Sequence, residues 1–316
     1  MQTKKDKGVF NTFFSVLLMV VALLWISFVI YHENNNLSLD FSQFKWSGFY
    51  YMIFFGSLAS FTNAVIFNTI LKVNLKKNIH FFYSSSLLFV GQMVRHLPGR
   101  FWGLVYQINA AREQISPLEM VKINYDYMVI SAGLTVVIPT SVILYSVKGP
   151  IGVSFFGVSI FFGGFLLKKN VHILVIQKII HIFPLQKIQL MQNIHPINSY
   201  SLGHIISIFF WGGLGWIFYF IGWRFLGLTF EPFSYSNLYL LCAIYSIAWL
   251  IGFLSILTPS GIGVREMVFI ILTPDLEPTY AAIIAVIVRL WLLVNDMILS
   301  ILFLMINLIQ KGVKYE

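Results

Sequence analysis

Long apolar runs govern what this chain can become. Stretches near Val9–Tyr31, Ser47–Leu71, Pro117–Ser146, Gly149–Leu167, Ser201–Trp223 and Thr279–Ile309 are each close to or above the roughly 20 residues a helix needs to cross a bilayer. A water-soluble fold cannot hide six of them. The composition agrees: 58% of residues are hydrophobic and 10% charged, where a soluble domain carries roughly 25% charged residues. A disordered chain is excluded on the same ground. The longest relatively polar stretches, Tyr31–Trp46 and Lys168–Ser201, are loop-sized or half apolar. We therefore expect one integral membrane domain over residues 1–316, with function carried out largely inside the bilayer. The N-terminal run is too long for a signal peptide and has no small-residue cleavage site, which makes it a retained first span.

Two more segments are apolar but interrupted. Phe81–Ala111 is broken by Leu97-Pro98-Gly99, and Ser236–Thr273 by Thr258-Pro259-Ser260-Gly261-Ile262-Gly263. Proline removes a backbone donor and glycine relaxes the chain, so each run should split into two helical pieces. Unwound backbone at membrane depth survives only where protein or water satisfies the freed groups. The predicted fold is all-α and polytopic, with about six full spans plus two re-entrant helical hairpins.

Orientation follows the basic residues in short loops. Lys4, Lys5 and Lys7 place the N-terminus in the cytoplasm, and Lys72, Lys76 and Lys77 mark the next cytoplasmic loop. Carried along the chain, this rule leaves Lys168, Lys169, Lys178, Lys187, Lys311 and Lys314 inside as well, so both termini are cytoplasmic. The hairpin at Pro98 then enters from the cytoplasm and the hairpin at Pro259 from outside. Residues 47–146 and 201–309 become two span–hairpin–span units of opposite topology, an inverted repeat. A weak echo supports it: Pro98 precedes Pro117 by 19 residues, and Pro259 precedes Pro278 by 19. Paired interrupted segments in an inverted repeat point to a transporter's binding site.

Charges inside a bilayer are costly and are functional hypotheses by default. Seven residues qualify: Arg95, Arg100, Asp126, Arg265, Glu266, Arg289 and Asp296. Four cations against three anions suit an anionic ligand, and arginine binds phosphate through a planar fork of donors. Each has an ordinary alternative. Arg289 and Asp296, two turns apart on one face, could neutralise partners on other helices. Arg265 and its neighbour Glu266 cannot point the same way, so one could brace the hairpin. Arg95 and Arg100 could snorkel to the cytoplasmic interface. Asp126 could belong to a helical ladder with Glu119 and Lys122. The aromatics Trp46, Tyr50, Trp216 and Trp223 read as interfacial anchors.

The seven histidines, among them His96, are scattered without metal-ligand spacing. There is no phosphate-binding P-loop and no Gly-x-Ser-x-Gly elbow. Cys242 stands alone in an apolar run. No cofactor, no metal and no nucleic-acid partner is expected, and catalysis of bond making or breaking is poorly supported.

The stretch VGQMVRHLPGRFWGLVYQINAARE resembles the first signature of the flippase-like membrane domain of lysylphosphatidylglycerol synthases. The stretch LTPSGIGVREMVF, with AAIIAVIVRLWLLVNDMI after it, is similar to that family's second signature. Pro259, Gly261, Gly263, Glu266, Arg289 and Leu290 match, and Ser260 stands where glycine is common. In layout the resemblance covers essentially the whole chain. It implies a domain of the bacterial plasma membrane that moves a lipid with a charged headgroup between leaflets. The soluble domain that transfers an amino acid from aminoacyl-tRNA is not expected, because the chain stops at Glu316, just after the last span. Stand-alone members are associated with polysaccharide and glycolipid pathways, which implies an isoprenoid-phosphate or glycolipid substrate, and a cell-envelope glycosyltransferase or lipid-modifying enzyme as a partner.

Arg95, Arg100, Arg265 and Arg289 are thus expected to hold phosphate, with Glu266 and Asp296 bracing them or reading a cationic headgroup. Pro98, Gly99, Gly103, Pro259, Gly261 and Gly263 should shape backbone around the headgroup, and Asp126 completes the candidate set. Two alternatives stay open: a membrane anchor or regulatory subunit of a lipid- or polysaccharide-modifying enzyme, and an ion-coupled small-solute transporter using Asp126 or Asp296.

Overall fold

The structure, a computed structural model, describes residues 45–96, 102–152, 154–155, 157, 200–229, 237–254, 264–276 and 278–312. All regular structure among them is α-helical: α1 (Trp46–Leu75), α2 (Phe81–Val94), α3 (Trp102–Ala111), α4 (Pro117–Lys148), α5 (Leu202–Arg224), α6 (Leu226–Thr229), α7 (Leu238–Leu254), α8 (Val264–Leu272) and α9 (Pro278–Gly312). Four stretches are long and apolar enough to cross a membrane: Trp46–Leu75, Pro117–Lys148, Leu202–Thr229 and Tyr280–Gln310. These match four of the six expected spans. The span at Val9–Tyr31 and most of the span at Gly149–Leu167 lie outside the described residues. Large side chains such as Phe54, Val136, Phe210 and Met305 are exposed along the long helices. Such a coat is a liability in water and the ordinary surface in lipid.

Local chemistry explains several boundaries. Pro117 opens α4 behind Ser116, whose hydroxyl accepts from the Glu119 backbone N–H while Glu119 reaches back to the Ser116 N–H. Pro278 is the first residue of α9, a position where its missing donor is harmless. α1 stops at Lys76, which takes the left-handed conformation at φ 51° and donates its N–H to the Lys72 carbonyl.

Both interrupted segments fold back on themselves. In α2 and α3, Gly103 lies on Gly91, Gln107 on Leu87 and Tyr83 on Ala110, so the two helices run antiparallel. In α7 and α8, Gly252 lies on Arg265 and the Tyr245 ring on Phe269 with centroids 5.4 Å apart, again antiparallel. α1 and α5 also run antiparallel along their whole length. Gly48 meets Thr229, Tyr51 stacks on Phe225 with ring centroids at 4.8 Å, Phe55 meets Gly222, and Gly215 meets Thr62. α2 packs on α9, and α7 packs on α4.

Two apolar cores result. One surrounds the first hairpin and joins Phe67, Leu71, Phe89, Ile123, Ile208 and Phe303. The other surrounds the second hairpin and joins Met52, Trp223, Tyr245, Phe269, Ile284 and Trp291. α1, α5 and α9 contribute to both. Two aromatics expected as interfacial anchors divide from the rest. Trp46 and Tyr50 are exposed at the start of α1, whereas Trp223 is fully buried against Tyr245, with ring centroids at 5.5 Å, and Trp216 packs on the first core. Trp223 lies among Tyr219, Tyr245 and the other rings of the second core, so it is a core residue. Cys242 is buried there too.

Candidate functional site

Charged residues gather at the inner end of each hairpin, and α9 touches both groups. At the end of α2, His96 lies beside Arg95, which caps that helix. The His96 Nε2 is 2.9 Å from Asp296 Oδ2 on α9. Tyr127 of α4 lies within electrostatic reach of both Arg95 and Asp296, and its hydroxyl is 3.4 Å from Gln92 Nε2. At the start of α8, Glu266 Oε1 accepts from Arg289 Nη1 of α9 at 3.4 Å. Arg265, one residue earlier, turns to the opposite side. It is buried against Gly252 of α7 and within reach of the Tyr245 and Tyr219 phenols.

The adjacent residues Arg265 and Glu266 thus face different helices, as the helical 100° step requires. Arg289 and Asp296, two turns apart, pair with two different hairpins. Bracing of an arginine by a carboxylate holds for Glu266 and Arg289. Asp296 instead meets a histidine. His96, Tyr127 and Gln92 were not among the candidates; the one sequence signal for His96 was its position next to Arg95, immediately before the turn.

The remaining candidates separate from these groups. Asp126 is buried, and its Oδ2 accepts from Asn74 Nδ2 at 2.9 Å and from the Tyr200 hydroxyl at 3.1 Å. It also lies within electrostatic reach of Lys122. That carboxylate ties the end of α1 to α4 and to the residue leading into α5. Burial, and then the Asp126 charge, push the Tyr200 phenol well above its ordinary range, so it stays a hydrogen-bond donor. Gly103 serves hairpin closure: a Cβ there would overlap the Gly91 carbonyl oxygen. Gly91 was missed, although it precedes Pro98 by 7 residues just as Gly252 precedes Pro259 by 7. Pro98, Gly99, Arg100, Pro259, Gly261 and Gly263 lie outside the described residues.

Chemically, the two groups offer guanidinium donors for an oxyanion, each held near a carboxylate that limits the net charge buried. Among the described residues no group of three or more His, Cys, Asp or Glu could hold a metal ion. No family model, no curated protein and no solved structure matches the chain.

Proposed function

We propose that this protein is a flippase-like transporter that moves a lipid with an anionic headgroup between leaflets of a bacterial plasma membrane. The substrate class comprises anionic or amino-acylated phospholipids, glycolipids and polyprenyl-phosphate-linked lipids. The observation that carries the reading is that α9 makes charged contacts with both hairpins, through Arg289 to Glu266 and Asp296 to His96.

The packing supports an inverted repeat. Exchange of α1, α2, α3 and α4 for α5, α7, α8 and α9 turns the α2–α9 contact into the α7–α4 contact, and both exist. The first helices of the two units, α1 and α5, run antiparallel, as inversion across the membrane plane demands. Alternating access in such folds comes from rocking one unit against the other around a site at their junction. Arg95, Arg265 and Arg289 would engage a phosphate, and Glu266 would keep Arg289 aimed. Asp126 is better placed to fasten α1, α4 and α5 than to touch a headgroup.

A leaflet-resolved assay with labelled phosphatidylglycerol in vesicles tests this. The wild type should move the label, and Arg289→Ala and Glu266→Ala should each slow it at least tenfold. Movement at the wild-type rate in both variants would remove the site. No movement by the isolated wild type, with co-purification of a lipid- or polysaccharide-modifying enzyme, would favour the anchor reading. Uptake of a water-soluble substrate with no lipid requirement would favour a small-solute transporter.

A further inference from the structure

The two hairpins are held to α9 by contacts of different chemistry. Arg289 and Glu266 form one pair, whose guanidinium does not lose its proton in proteins. His96 and Asp296 form the other, and imidazole is the side chain whose charge changes between about pH 5 and 8. We propose that His96 and Asp296 form a proton-binding site that couples movement of the lipid to movement of a proton.

Geometry carries the proposal. The pair joins residues 200 positions apart, at 2.9 Å, and so ties the last residue before the first turn to the helix that also holds the second hairpin. Side-chain exposures of 30% and 19% leave both groups partly open at the end of α2 and not sealed in the apolar core. Among the described residues, the titratable and charged groups around the pair include Arg95 from α2 itself and Tyr127 from α4, with Tyr106 of α3 in the nearby apolar cluster with Met93 and Met297. From α1 the approach is neutral, with Ser57 bonded to Asn295 and Gly56 against Asn295 and Trp291. Uptake places one proton on the imidazole, and the group as a whole becomes more positive by one charge. Inside a low dielectric an ion pair holds where a lone carboxylate and neutral imidazole hold less firmly. Protonation therefore tightens the first hairpin on α9, deprotonation loosens it, and the second hairpin stays fastened throughout.

The coupling half of this inference rests on the proposed lipid movement, whereas proton binding does not, and two measurements keep them apart. The first is an imidazole NMR titration of the full chain in nanodiscs, with the His96 signal assigned by its loss in His96→Gln. That signal should change with pH in the wild type, and Asp296→Asn should displace the change. A His96 signal that does not change with pH, or that is indifferent to Asp296→Asn, overturns the site. The second uses wild-type protein in vesicles of phosphatidylcholine with labelled phosphatidylglycerol, a pH gradient of about two units and the membrane potential clamped. One proton moved per lipid can shift the final leaflet ratio by up to about 100-fold, and a shift of at least twofold is expected, lost in Asp296→Asn. Lipid that equilibrates evenly despite the gradient overturns coupling and leaves the transporter reading intact. Lipid that does not move in any condition removes the transporter reading and the coupling together, and the titration then decides the proton site alone.

Discussion

The two hairpins share a topology and differ in what closes them. The first is stitched by amides and hydroxyls. Gln107 donates to the Leu87 carbonyl at 3.1 Å and accepts from Asn124 at 2.6 Å, Asn68 donates to Ser84 at 2.7 Å, and Ser300 of α9 donates to the Phe89 carbonyl at 2.8 Å. The second is closed by rings: Tyr245 against Phe269 and Trp223, and Trp291 stacked on Tyr219 with centroids at 5.2 Å. Hydrogen bonds in lipid are directional and have few competitors, so they set one register. Ring packing spreads over area and tolerates small sliding. Among the described residues the first hairpin adds hydrogen bonds to ring contacts of its own, such as Phe89 on Phe303 with centroids at 5.0 Å, while the side-chain contacts of the second are mainly rings.

The comparison breaks most sharply at the charges. Glu266→Ala removes one carboxylate partner from Arg289, which cannot shed its proton, and should cost about 2 kcal/mol of stability for a partly buried pair. Asp296→Ala should cost clearly less, because His96 can become neutral instead. Reversible unfolding in detergent, followed by helical signal, measures both; equal losses would erase the distinction.

Next come the glycines at the crossings. Gly103→Ala drives a methyl group into the backbone of Gly91, which has little room to yield, and should cost about 2 kcal/mol. Gly252→Ala meets the Arg265 Cβ at 3.1 Å and its backbone at 3.4 Å, a looser contact than the one at Gly103, and should cost about 1 kcal/mol. A thermal shift larger for Gly252→Ala would reverse the assignment of tight and looser crossings.

Smaller effects test the stitching itself. Gln107→Ala leaves Asn124 without that acceptor and should cost about 1.5 kcal/mol. Tyr245→Phe, in the hairpin closed by rings, keeps the packing and should stay within about 1 kcal/mol of wild type. The smallest loss should follow Tyr200→Phe, which removes one donor to Asp126 and leaves the donor from Asn74, at about 1 kcal/mol or less. Its effect should not vary with pH in the neutral range, since the phenol stays protonated there.

Much of the architecture was readable in the primary structure because its causes are local. Apolar runs longer than a bilayer is thick can only be helices, and Pro117 and Pro278 mark helix starts by a missing donor. The breaks around Pro98 and Pro259 were legible as divisions between helical pieces for the same reason. The pairing of charges was not legible. Helical spacing told that Arg265 and Glu266 diverge, but not that Glu266 would find Arg289 and Asp296 would find His96, since those distances depend on how two hairpins settle against α9. Trp223 shows the same limit: its place near a span end suggested an interface, and only the packing of α5 against α7 puts its ring on Tyr245 inside the second core.

The amino-acid order by itself determined that this is a helical membrane protein with two interrupted segments, because hydrophobicity and the backbone chemistry of proline and glycine act over a few residues. Tertiary structure alone decided that α9 would hold one hairpin by an arginine and a carboxylate and the other by a histidine and a carboxylate, because contacts across 200 residues are set by packing and not by spacing along the chain.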